Sequence, residues 1–277
     1  MRAVIFAPGV FWYTSVESMR SPSVRLSLAI LLVCACSAIS RAGAQQTATE
    51  LIAAGDREYD ALHPQAARES YLHALQAEPA NYAALWKASR SEVDLAESMP
   101  TGAAQDSLLT DARTHAGAAV AANPHDPEGH FSLARAVGRK ALTVGVMDRI
   151  RFAKIVRAEG LEALKYDSAH AGALHVLGAW NAEIMRVNGL ARVFAKSFLG
   201  AGVFGLASWD EAQRLMERAV QVDPDRIVHH LDLGAIYADR GNREKAREQF
   251  EWIATAPVRE YNDPLYKRQA AERLKKL

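Results

Sequence analysis

LDLGAIYADRGNREKAREQFEWIATAP, residues Leu231–Pro257, reads as two helices joined by a Gly-Asn turn. Gly234 is followed after 12 residues by Ala246, after four more by Phe250 and after a further seven by Pro257. Small side chains at Gly234 and Ala246 let two helix backbones close to the separation of packed helices, about 8–10 Å. Tyr237 and Phe250 have the bulk to fill the space around that crossing. Pro257 has no amide hydrogen to continue the helix, so the chain turns there. One such hairpin cannot bury its own apolar face, and further copies are expected along the chain.

The copies are present. AAGDREYDALHPQAARESYLHALQAEP places Gly55, Ala67 and Tyr71 at the same separations, followed by Ala74 and by Pro79 eight residues after Tyr71. Three more second-helix segments end at Pro124, Ser168 and Pro224. From Ala67 to Ser89, Ala112 to Ala134, Val156 to Gly178 and Ala212 to Gly234 the step is 22 residues every time. Four equal steps make five repeats. Within a repeat the step from first-helix small residue to second-helix partner varies: 12 in the first and last, but 23, 22 and 34 in the middle three. The extra residues all fall at the turn inside a hairpin, and the simplest reading lengthens both helices by one to two turns.

This spacing is the tetratricopeptide signature, two antiparallel helices per unit of roughly 34 residues. The expected fold is therefore all-α, a tetratricopeptide-repeat α-solenoid of five hairpins with insertions. Repeats are expected near 48–81, 82–126, 127–170, 171–226 and 227–258. A polar helix over 262–277, NDPLYKRQAAERLKKL, is expected to cap the stack against solvent.

Residues 1–44 read differently. Arg20 and Arg25 precede the apolar run Leu26–Ile39, and Ala42-Gly43-Ala44 follows it. That order is a secretory signal cleaved before Gln45, which implies export to a periplasm or medium. The run is too short to span a bilayer comfortably. MRSPSVRLSLAILL from Met19 is the more typical signal and marks a second candidate start. A lipoprotein acylated at Cys36 and an uncleaved anchor are the alternatives. Both cysteines, Cys34 and Cys36, lie in this segment, so the solenoid over 45–277 has no disulfide, thiol chemistry or cysteine metal site. The first 44 residues hold four of the 33 basic and one of the 32 acidic side chains, leaving 29 against 31. Such a balance excludes nucleic acid as the expected partner.

LWKASRSEVDLAES (Leu85–Ser98), HVLGAW (His175–Trp180), the insertion RVNGLARVFAKSFLG (Arg186–Gly200) and SWDEAQRLMERAVQVDPD (Ser208–Asp225) together resemble the regulator of microtubule dynamics family. The resemblance runs over roughly residues 48–277 and rests on the order of repeats and insertions as much as on letters. It implies an all-helical repeat protein. Members are linked to microtubules or mitochondria, and at least one has a repeat domain implicated in phospholipid binding. An exported chain would not meet microtubules, so the family's name is not carried over as a function.

No catalytic motif is present, and no enzyme activity or cofactor is expected. GAGVFG (Gly200–Gly205) matches G-x-G-x-x-G without the strand that a dinucleotide site requires. His229 and His230 are adjacent, so on a helix they point about 100° apart and do not converge on a metal. The resemblance to tetratricopeptide proteins points the first helices into a concave groove. That groove collects Ile52, Trp86, Phe131, His175 and Leu231 at equivalent places, with Asp56, Arg90 and Arg135 one turn on and Arg139 beyond. Such a surface suits a ligand with an apolar body and an acidic end, a protein or peptide partner first and a lipid as the alternative. The bland alternative is that the aromatics pack between helices. In the insertion 186–207, Val187, Leu190, Val193, Phe194 and Phe198 fall at helical spacing opposite Arg192 and Lys196, a pattern for a partner or a peripheral membrane contact, or else for a flap over the solenoid edge.

Overall fold

A computed structural model of the chain describes residues 46–187 and 202–277. The segment read as a secretory signal and most of the 186–207 insertion lie outside the described residues. Among the described residues there are eleven α-helices and no strand. They are α1 (Ala48–Asp60), α2 (Pro64–Ala77), α3 (Tyr82–Ser98), α4 (Ala103–Ala122), α5 (Pro127–Ala141) and α6 (Val146–Tyr166), followed by α7 (Ala171–Arg186), a 3₁₀ turn Gly202–Leu206, α8 (Trp209–Val222), α9 (Ile227–Asp239), α10 (Arg243–Thr255) and α11 (Asp263–Leu274). Successive pairs α1–α2 through α9–α10 pack as hairpins, and each hairpin packs on the next, so Thr47–Leu277 is a tetratricopeptide solenoid.

Close approach inside a hairpin depends on the small residues at its crossing. A Cβ built on Gly55 would collide with the Tyr71 ring, and one on Gly234 would sit 2.5 Å from the Phe250 ring. The aromatic stands directly on the opposing backbone, and Tyr71, Phe250, Ala67 and Ala246 are all buried. The turns differ: Gly241 takes φ +80 between α9 and α10, where the first hairpin uses Leu62 at φ 64.

The extra residues do lengthen the second and third hairpins. α3 and α4 run 17 and 20 residues and α5 and α6 run 15 and 21, against 13 and 14 for α1 and α2. The fourth hairpin departs from this rule: α7 and α8 are 16 and 14 residues long, so its insertion does not extend α8. Instead Phe204, in the 3₁₀ turn, returns to pack with Trp180, Ile184 and Ile150.

Two histidines at equivalent places tie a first helix both to the loop before it and to its own partner helix. His130 Nε2 lies 3.0 Å from the Pro124 carbonyl and Nδ1 lies 2.7 Å from Glu159. His230 repeats the pattern with the Pro224 carbonyl and Gln249, both at 2.8 Å. A buried carboxylate joins neighbouring hairpins nearer the start: Glu92 on α3 accepts from Arg68 on α2 at 3.0 Å and meets His115 on α4 at 2.8 Å.

The first helices form a row, with α1, α3, α5, α7 and α9 in contact in turn and α11 packed on α9. In a flat row of helices spaced about 8–10 Å apart, α9 would stand roughly 25–30 Å from α3. Yet Asn262, just before α11, bonds the Asp94 carbonyl of α3 at 3.0 Å. The row therefore curls, with the first helices on its concave side. α11 is not a purely polar cap: Tyr266 and Ala270 are buried in the apolar cluster of the last two hairpins.

Candidate functional site

The concave face is built from one stripe of each first helix, and it divides into two parts. Towards the first repeat, Trp86 and Ile52 are half-buried. The Arg90 guanidinium stacks 3.4 Å from the Tyr59 ring centroid and 5.1 Å from that of Trp86. Tyr71 closes the other side, its hydroxyl donating to Asp56 at 2.8 Å, and Lys87 pairs with the same carboxylate at 2.5 Å. Burial first, then the bond to Asp56, pushes the Tyr71 hydroxyl pKa up, so the ring stays neutral. Among the described residues no carboxylate lies within ion-pair distance of Arg90, and its Nε is buried without a hydrogen-bond acceptor.

The middle of the face is closed upon itself. Arg135 donates to Asp94 at 2.6 Å and lies 3.7 Å from Glu97, while Arg139 pairs with Glu97. Burial alone would lower the Arg135 pKa, but Asp94 and Glu97 outweigh it and raise it. The Tyr59 hydroxyl donates to the other oxygen of Asp94 at 2.7 Å. Further along, His175 Nε2 lies 3.0 Å from Asp232, and its ring sits 4.9 Å from that of His229. Burial, then the neighbouring His175 and Arg226, holds His229 well below the usual histidine range and therefore neutral. Burial would raise the Asp232 pKa, but the His175 bond and the nearby arginines keep it lowered and charged.

Several expected groove residues thus have other occupations. Phe131 is buried, its ring pressed on the Gly172 backbone where an added Cβ would lie 2.5 Å from it, and Leu231 is buried in the last core cluster. They are packing residues: Gly172 lets the next hairpin come down upon Phe131, and Leu231 is part of the last core itself. Arg135 and Arg139 do not stand free for a ligand, because internal carboxylates already match them. Their partners could have been found in the sequence: Asp94 and Glu97 follow Arg90 by four and seven residues on the same helical face, next to α5. His230 stacks on Trp252 at 3.7 Å, and no group of three or more acidic, histidine or cysteine side chains is placed to hold a metal ion among the described residues. No described helix is long and apolar enough to cross a membrane. A depression of about 570 Å³ lies elsewhere, on the outer side between α6, α7 and α8, lined by Leu164, Leu174 and Leu215 with Arg218.

The model of the regulator of microtubule dynamics protein 1-3 family matches residues 47–277, the whole solenoid. The chain belongs to that family. No curated protein matches it. Among solved structures, TTC0263, a thermophilic tetratricopeptide protein in Thermus thermophilus, is 15% identical over 82% of this chain and all of its own, with a TM-score of 0.60. YrrB, a tetratricopeptide protein with an unusual peptide-binding site, is 16% identical over 87% of this chain and 97% of its own, with a TM-score of 0.43. At such identities the likeness of the first shows the fold alone, and that of the second carries no further weight. The family and the fold together make this regulator-family chain a tetratricopeptide-repeat protein.

Proposed function

We propose that this chain is an exported, non-enzymatic repeat scaffold that binds a protein or peptide partner through the first-repeat end of its concave face. One observation carries the reading. Of the three arginines on that face, Arg90 alone has no carboxylate partner among the described residues, and its guanidinium lies 3.4 Å from the Tyr59 ring centroid and 5.1 Å from that of Trp86. A guanidinium kept in place by aromatic stacking is pre-organised for a carboxylate or phosphate on a partner. The half-buried Trp86 and Ile52 beside it would take an apolar neighbour of that group. Support for export is the basic-apolar-small order of residues 20–44, immediately ahead of a compact unit that starts at Thr47.

The test is an array of acidic and neutral peptides probed with the purified chain. Acidic peptides with an adjacent apolar residue should be retained, and Arg90→Ala should weaken them about tenfold, the worth of one charge-assisted contact of ~1.5 kcal/mol. Retention unaffected by Arg90→Ala would end this reading. Native mass spectrometry of the same preparation separates the lipid alternative, since a carrier would keep a bound lipid through purification.

A further inference from the structure

The non-helical stretch between α10 and α11 and the first turn of α11, residues 257–266, run across the row of first helices instead of extending the stack. Asn262 donates its side-chain amide to the Asp94 carbonyl at 3.0 Å, and the Tyr261 hydroxyl lies 3.3 Å from Ser98 Oγ. These contacts join positions 168 and 163 residues apart in the chain. The Tyr266 phenol sits against Glu97, and burial followed by that negative charge pushes its pKa well above the usual tyrosine value. Asn262, Asp263 and Tyr266 are all buried.

The segment has a shape of its own. One oxygen of Asp263 accepts the backbone N–H groups of Arg259 and Glu260, each at 2.7 Å, which folds 259–263 into a tight turn. Glu260 is then placed 3.0 Å from Arg226. The turn thus meets α3 as a short peptide would meet a repeat groove, through an amide and two phenols, while its Glu260 carboxylate pairs with Arg226 ahead of α9. The fit is incomplete: Asn262 Oδ1 and Asp263 Oδ1 are buried without a donor among the described residues. Val258 and Tyr261 remain partly exposed at its edge, 46% and 37%, which leaves an apolar flank for a competitor to engage.

We propose that the concave surface around Asp94, Glu97 and Ser98 is a second peptide-docking surface, already taken by residues 257–266 of the same chain as a built-in ligand. A partner segment gains that surface by displacing this turn, and the partner it fits carries a side-chain amide flanked by phenols. Displacement takes Tyr266 out of the last core cluster, while the remainder of α11 stays anchored there through Ala270, with Leu274 packed against it. The proposal rests on the concave face being a partner-binding surface, but its test uses the chain's own segment as probe and so is decided without any external partner.

A fluorescent synthetic peptide of residues 257–268 is titrated into three full-length chains. The native chain should bind it weakly. Tyr261→Ala with Asn262→Ala, which loosens the turn, should bind it at least tenfold more tightly. In the third, Ser98→Cys and Tyr261→Cys are joined by a short bis-maleimide in a Cys34→Ser, Cys36→Ser background, and the bridged chain should bind none while the unbridged one binds. Equal binding by bridged and unbridged chains, or no gain in the loosened chain, overturns the proposal. Should the loosened chain fail to fold on melting, the bridged and unbridged pair decides alone.

Discussion

Arg90 and Arg135 occupy equivalent places on neighbouring first helices, yet one is held by rings and the other by carboxylates. The helix on the far side of each decides which. Arg135 on α5 faces the last two turns of α3, where Asp94 and Glu97 project. Arg90 on α3 faces α1, where the Tyr59 ring lies against its guanidinium. Two arginines in one register thus acquire opposite roles, one closing the groove and one left with a charge to share. A groove residue's position in a repeat says where it points, and only its neighbour's chemistry says whether it is free.

The sharpest way to break this contrast is Arg135→Ala. The pair is largely buried, with side-chain exposures of 15% for Arg135 and 8% for Asp94. Removing one partner strands a buried carboxylate, which should cost about 3 kcal/mol in a urea melt. Asp94→Asn should also destabilise, because the same contact is lost from the other side. A cost below about 1 kcal/mol for both would mean the pair is solvated and the groove is open there.

The next effect is a pH dependence carried by two buried histidines, His229 and His130. His229 has its folded pKa depressed, so the unfolded chain takes up its proton first, near pH 6.5. Its contribution is therefore present above pH 6.5 and lost as pH falls below that value. Its size is about 1.4 kcal/mol per pH unit until the folded pKa is reached. His130 works the other way: burial lowers its pKa, but the Pro124 carbonyl and Glu159 outweigh it and raise it, so its stabilisation is present below about pH 6.5 and fades as pH rises through the raised value. Comparing unfolding free energies at about pH 7.5 and 5.5 in the native chain and in His229→Gln isolates the first contribution. The acid-side loss should shrink by about 1 kcal/mol in the variant. An unchanged difference would show that His229 is protonated in the fold.

Arg90→Ala should be milder than Arg135→Ala for stability, about 1 kcal/mol, since it loses stacking and no ion pair. A loss as large as that of Arg135→Ala would make Arg90 a structural residue and remove the contrast altogether. Lys87→Ala should have the smallest effect. The Lys87–Asp56 pair is partly exposed, with Asp56 at 38%, and such pairs are worth about 0–1 kcal/mol. A thermal melt within ~2 °C of native is the expected result.

The repeat architecture was legible in the letters, because close helix packing admits only small residues at Gly55, Ala67, Gly234 and Ala246 and demands bulk at Tyr71 and Phe250. Those constraints are local to a hairpin and recur at constant intervals, so counting recovers them. The stripe of first-helix residues was legible for the same reason. What the count could not reach was curvature. The angle between successive hairpins accumulates over five repeats, and no short stretch of sequence encodes their sum. That sum brings Asn262 to Asp94 across 168 positions and seats residues 257–266 on a face that otherwise reads as open. The pairing of Arg135 with Asp94 needs less, only that the neighbouring helices α3 and α5 lie side by side. Local periodicity settled the elements of this protein and their order. The three-dimensional stack decided which of its charges are already matched, because matching depends on distances between helices, which the letters of a single hairpin do not contain.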